Sequence, residues 1–127
     1  MPEIQNAIEI LPEDRLLRRV QFLDPNFIKE DGTPASSSFT LKRLENGDLE
    51  EGLSTDIEKL TSYPAAIQDA SRFRLYALVT EFIQSLGLQC EHNPLPENHA
   101  HALIKGNISR GIARKLAQQA IKIDYPE

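Results

Sequence analysis

Apolar and polar side chains alternate in several short stretches of this chain, and a period of two sends one set of side chains to each face of a β-strand. The longest such stretch is Arg72–Thr80, where Phe73, Leu75, Ala77 and Val79 alternate with Arg72, Arg74, Tyr76, Leu78 and Thr80. Leu53, Thr55 and Ile57 share one side of residues 53–57, and Leu88, Cys90 and His92 share one side of 88–92. In residues 99–105, Ala100, Ala102 and Ile104 lie opposite His99, His101 and Leu103. Residues 15–23 end as a strand with Val20 and Phe22 on one face, and shorter strands are expected at 27–29 and 39–41.

Helical spacing takes over in three places. Pro64–Ala70 begins with proline in the tolerated first turn, and Glu81–Leu86 is closed by Gly87. Further on, Ile108, Ile112, Leu116, Ala120 and Ile123 form an apolar stripe beside Ala113 and Ala117, with Arg110, Arg114, Gln118 and Lys122 on the other side. Strands and short helices mix without a βαβ repeat. That order predicts an α+β fold, a mixed or mostly antiparallel sheet with short helices and a C-terminal amphipathic helix packed on it. Residues 1–14, punctuated by Pro2 and Pro12, have little periodicity and are expected as a loose N-terminal arm before a single globular domain, residues 15–127.

Composition narrows the class. A chain of 127 residues can bury a core without disulfides or structural metal. No apolar run approaches the roughly 20 residues of a membrane span, and the N-terminus is acidic before it is apolar, unlike a secretory signal. With a single cysteine and no export signal, a cytoplasmic location is expected. The net charge of −5 argues against binding nucleic acid, which rests on neutralising phosphates. Residues 44–58 hold six acids and no base, whereas residues 102–123 hold five bases and no acid. Two solvated faces of opposite sign follow, suited to steering a protein partner or to self-association.

The chain's three histidines and its cysteine fall in one window, Cys90, His92, His99 and His101, around a proline-rich loop. Two i, i+2 pairs on a hairpin could offer zinc three or four ligands. The spacing matches no common zinc motif, so Cys90 is expected as a small buried hydrophobe, with His92 and His99 in solvent beside the loop. No metal or other cofactor is expected. His101, between two alanines in a strand, is the histidine placed to act as acid, base or hydrogen-bond donor. Lys105, Asn107, Ser109 and Arg110 surround a strand-to-helix junction where an anion could bind, although Asn107 or Ser109 as a plain helix cap explains the same residues. Ser36, Ser37 and Ser38 follow a glycine turn without the surroundings of a serine nucleophile.

In Arg19-Val20-Gln21-Phe22, Asp31-Gly32-Thr33, Ser36-Ser37-Ser38-Phe39, Gly52-Leu53-Ser54, Arg74–Leu78, Leu86-Gly87-Leu88 and Asn98–Ile104 the chain resembles a group of small bacterial proteins of unknown function. That resemblance covers most of residues 19–120 and implies no activity. In the order of Arg19, Ser54-Thr55, Pro64-Ala65-Ala66 and His101 it also resembles small ADP-ribosyltransferase-like domains. This second likeness implies a nucleotide cleft lined by Arg19, Ser54 or Ser38 and His101, but no late-strand glutamate accompanies it. With no complete catalytic constellation, a non-enzymatic protein-binding or accessory module is the leading expectation, and a small nucleotide-binding enzyme the alternative.

Overall fold

The structure, a computed structural model, describes residues 8–123. Among these residues six strands form one sheet: β1 (Arg15–Gln21), β2 (Leu53–Ile57), β3 (Phe73–Val79), β4 (Gln89–His92), β5 (His101–Lys105) and β6 (Ile121–Lys122). Their spatial order is β4-β5-β2-β1-β3-β6, and every neighbouring pair is antiparallel. Three helices join them, α1 (Tyr63–Ile67), α2 (Thr80–Ser85) and α3 (Arg110–Gln119). The fold is thus the expected α+β type.

β1 buries Leu16 and Leu17 in succession, which an alternating strand does only when both faces are covered. One face carries Leu16, Leu53, Ile57, Leu78, Ala102 and Ile104 under Ile83 of α2 and Ala113 and Leu116 of α3. The other carries Leu17, Leu75 and Ala77 under Ala66 and Ile67 of α1. Each fully buried leucine or isoleucine contributes about 1.5–3 kcal/mol by leaving water. α1 and α3 start on side-chain caps. Ser62 Oγ accepts from Ala65 N, and Ser109 Oγ accepts from Ile112 N at 3.2 Å.

Four segments depart from their sequence pattern, each for a local reason. Residues 8–14 are docked rather than loose: Ile10 is buried, and the carbonyls of Pro12 and Asp14 accept from Glu81 N and Thr80 N at 2.9 Å. Those are unsatisfied amides at the start of α2, which need such partners. Residues 1–7 of the expected arm lie outside the described residues. Around Phe27–Lys29 only a single bridge forms, Ile28 with Pro34, because proline has no N–H to extend a ladder. Phe39 closes a 3₁₀ turn, Ser36–Phe39, and drops into the larger core. Finally, α3 stops at Gln119, and Ile121 and Lys122 pair with Ala77 and Tyr76 on the open edge of β3. Ile123 therefore leaves the helical stripe and packs with the α1 face.

The acidic and basic stretches lie side by side where β2 pairs with β5, and at the end of that ladder Lys105 Nζ pairs with Glu51 Oε1 at 2.8 Å and with Glu91. That approach of β2 to β5 depends on Gly52, since a Cβ there would lie 2.8 Å from the Ile104 carbonyl oxygen. Gly52→Ala is expected to cost about 1–3 kcal/mol by forcing the strands apart, measured as a lower urea midpoint at unchanged slope. Leu116 is fully enclosed between α3 and the sheet. Leu116→Asp is expected to cost about 3–5 kcal/mol by burying an unpaired charge; a melting temperature within a degree or two of wild type would show α3 to be peripheral.

Candidate anion-binding site

β1 pairs with β3 along its whole length, from Arg15↔Val79 to Gln21↔Phe73, but with β2 only at Leu16↔Ile57 and Leu17↔Asp56. Beyond Leu17 the two central strands part, and the sheet opens into a fork. Arg18 fills the crotch of that fork. Its Nε donates to the Ser38 carbonyl at 3.0 Å and its Nη1 to the Ser54 carbonyl at 2.8 Å. One side chain thereby ties β1, β2 and the 36–39 turn together.

The fork holds a cavity of about 260 Å³, lined by Arg18, Arg19, Ser37, Ser38, Lys42, Ser54 and Arg72, with Val20, Gln21, Phe27 and Phe73 completing the wall. Among the described residues, four cations and no carboxylate line it. Arg18 forms no ion pair among the described residues. Removal from water pulls its pKa down to about 10; Glu50 acts in the opposite sense and Arg19 in the same one. It remains a cation at neutral pH. Arg19 is held by Asp56 at 3.3 Å and by the Ala66 carbonyl at 2.9 Å. Lys42 and Arg72 are exposed, and neither forms an ion pair among the described residues, although the Asp69 carboxylate acts on Arg72 through space. Set against the nearby charges of Asp56, Glu50 and Asp69, these four cations still leave the cavity with an excess of positive charge.

The walls are set by local bonds. Ser38 Oγ donates to the Phe27 carbonyl at 2.7 Å and Ser37 Oγ to that of Asn26, so the 3₁₀ turn is fastened to the loop before it. Ser54 Oγ makes no hydrogen bond among the described residues and is free to donate into the cavity. Arg72 sits in a tight turn that starts at Gln68, whose φ of 62° is unusual for a residue with a Cβ. The Asp69 amide closes a three-residue turn onto the Ile67 carbonyl at 2.6 Å, a strained conformation of the kind that gathers at binding sites. The Asp69 carbonyl then accepts from Arg72 N and Phe73 N, which fixes the Arg72 backbone at the rim.

Of the residues expected around one cleft, Arg19, Ser38 and Ser54 do line this cavity. His101 lies on the same sheet face as Arg19, in register with Asp56, but outside the lining. Its Nδ1 is 3.0 Å from the Asn93 carbonyl and therefore carries the proton. Asp56, 2% exposed, accepts from Asn98 Nδ2 at 2.8 Å. Thr55 points to the opposite face, where its hydroxyl donates to the Ala102 carbonyl. Arg18, Lys42 and Arg72 were not legible as site residues. The one available signal was the pair Arg18-Arg19 in a buried strand, where consecutive side chains leave by opposite faces and both find water only at an opening.

The other candidates are engaged elsewhere. Lys105 is matched by two glutamates and Ser109 is the α3 cap, while Asn107 and Arg110 are exposed beside it. β4 and β5 do form the hairpin that the Cys/His window suggested, yet no three His, Cys, Asp or Glu side chains among the described residues gather as a metal site. His92, expected in solvent, is 4% exposed. Its Nδ1 accepts from Ile8 N at 2.9 Å, its Nε2 donates to the His99 carbonyl at 2.6 Å, and its ring meets that of His99 edge-on. Burial pushes the Cys90 thiol up to about 11, a shift that the Thr80 hydroxyl partly opposes. Because the folded state keeps its proton to higher pH than the unfolded chain, Cys90 should cost stability as pH rises from about 9 to about 11 and be neutral below that window. Iodoacetamide at pH 7.5 is expected to label Cys90 slowly in the native protein and at the rate of a free thiol in urea; equal rates would place the thiol outside the core.

No known protein family, curated protein or solved structure matches the chain.

Proposed function

We propose that the protein is a non-catalytic binding module whose fork cavity takes a dianionic, phosphate-type group. The observation that carries this reading is a cavity lined by Arg18, Arg19, Lys42 and Arg72 without a carboxylate, in a chain whose net charge is −5. An acidic protein has no electrostatic need to gather four cations, and doing so without a ligand costs repulsion and desolvation. A phosphomonoester, which carries about −1.5 to −2 at neutral pH and offers three acceptor oxygens, engages four converging cations better than a single carboxylate does. Arg18 and Arg19 supply guanidinium donors, Lys42 a mobile point charge, and Ser54 a neutral hydroxyl.

Binding rather than catalysis is favoured by the residue types. The cavity holds neither histidine, cysteine nor carboxylate to move a proton or attack a substrate. The nearest relation to the transferase-like expectation is the shared presence of Arg19 and Ser54, but His101 stays outside. A cavity of about 260 Å³ is also smaller than the roughly 300–1,000 Å³ of sites that enclose a whole organic ligand.

Isothermal titration with inorganic phosphate at constant ionic strength tests the proposal. Binding is expected for the wild type, weakened about tenfold by Lys42→Ala or Arg72→Ala, each the loss of one charge-assisted contact. Both side chains are exposed, so both variants should fold normally. Absence of phosphate binding at millimolar concentration, or binding indifferent to both substitutions, would overturn the reading.

A further inference from the structure

We infer that the anion recognised in the fork is carried on an apolar body, which lies in the groove on the far side of Arg72. This rests on the fork being a phosphate-type site and names the class of molecule it takes, a small organic phosphomonoester with an uncharged body. A second concavity of about 310 Å³, lined by Gln21, Leu23, Asp24, Pro25 and Arg72, shares Gln21 and Arg72 with the fork cavity. The two are neighbours divided by one exposed arginine. Either alone is at or below the lower limit for an organic ligand, whereas together they fall well inside that range.

The chemistry changes across Arg72. The fork side is cationic, and the groove side is walled by Leu23, 70% exposed, and by the Pro25 ring. A single exposed leucine is ordinary. Here Leu23 is held in place by the turn that follows: Asp24 N bonds to the Gln21 carbonyl, Phe27 N and Ile28 N bond to the Asp24 carbonyl, and Asn26 N bonds to Asp24 Oδ1 at 2.9 Å. The groove is therefore preformed, which lowers the cost of ordering it around a ligand. The Asp24 carboxylate at its wall repels a second negative charge, so the ligand carries its anion at one end only. The Arg72 guanidinium lies over the Phe73 ring, 4.9 Å from its centre, a contact that holds it at the divide between head and body.

Phenyl phosphate and inorganic phosphate, titrated calorimetrically against the same protein, separate this inference from the reading it rests on. Phenyl phosphate is expected to bind about tenfold more tightly, since a ring leaving water adds apolar burial to the same anionic contacts. Leu23→Ser should abolish that advantage and leave inorganic phosphate unchanged, whereas Lys42→Ala should weaken both. 4-Carboxyphenyl phosphate, which brings a carboxylate towards Asp24, should bind more weakly than phenyl phosphate. If inorganic phosphate binds but the phenyl group adds nothing, or its advantage survives Leu23→Ser, the groove is not part of the site. Tighter binding of the carboxyphenyl compound would overturn the assigned orientation. If neither ligand binds, the fork itself is not a phosphate site and both readings fall.

Discussion

Where β2 parts from β1, a guanidinium stands in place of a backbone ladder. Arg18 donates to the Ser38 and Ser54 carbonyls, so the strand edges and the 36–39 turn are held by a charged side chain instead of by each other. Desolvating such a cation costs several kcal/mol when no opposite charge answers it. Two carbonyl dipoles answer it in part, and the rest is left facing the cavity. The open fork, the 36–39 turn and the cavity are joined through this one substitution of side chain for main chain.

The net charge of the chain conceals how its charges are sorted. Four acids outside the fork are paired: Glu58 with Arg15, Asp14 with Lys59, and Glu51 and Glu91 with Lys105. Such exposed pairs add little stability, typically 0–1 kcal/mol, but they answer Arg15, Lys59 and Lys105, whereas Arg18, Lys42 and Arg72 form no ion pair among the described residues. At physiological ionic strength fields fade over about 8 Å. An arriving anion therefore responds to the four cations around it more than to the overall charge of the protein.

The Cys/His window serves the architecture. His92 joins the N-terminal segment at Ile8 to the β4–β5 loop at His99, using one ring nitrogen as acceptor and the other as donor. Only a neutral imidazole can make both bonds at once. A histidine with both nitrogens committed has no lone pair left for a metal, and Cys90 beside it keeps its proton in the core. The loop between them fixes Asn98, which in turn holds Asp56 against Arg19. In this way the hairpin reaches the fork without contributing a side chain to it.

Periodicity is a property of neighbouring residues, and the elements that depend on it were legible: β3 from alternation, α2 from its closing Gly87, α3 from its apolar stripe with the Ser109 cap. Ser38, Arg19 and Ser54 were recognisable as polar residues in search of a role. What no local pattern carries is the strand order that sets β2 beside β1 and then lets them separate after Leu17. Register beyond that point is decided by long-range packing, as Phe39 and Gly52 draw the 36–39 turn and β5 towards β2. Convergence of Arg18, Lys42, Ser54 and Arg72 follows from that geometry. The same holds for the end of α3, where the apolar stripe continued to Ile123 but the free edge of β3 offered hydrogen bonds that another helical turn could not replace. Local sequence determined which segments were strands and helices; only the tertiary structure decided where the sheet opens, because that depends on which distant strand is missing a partner.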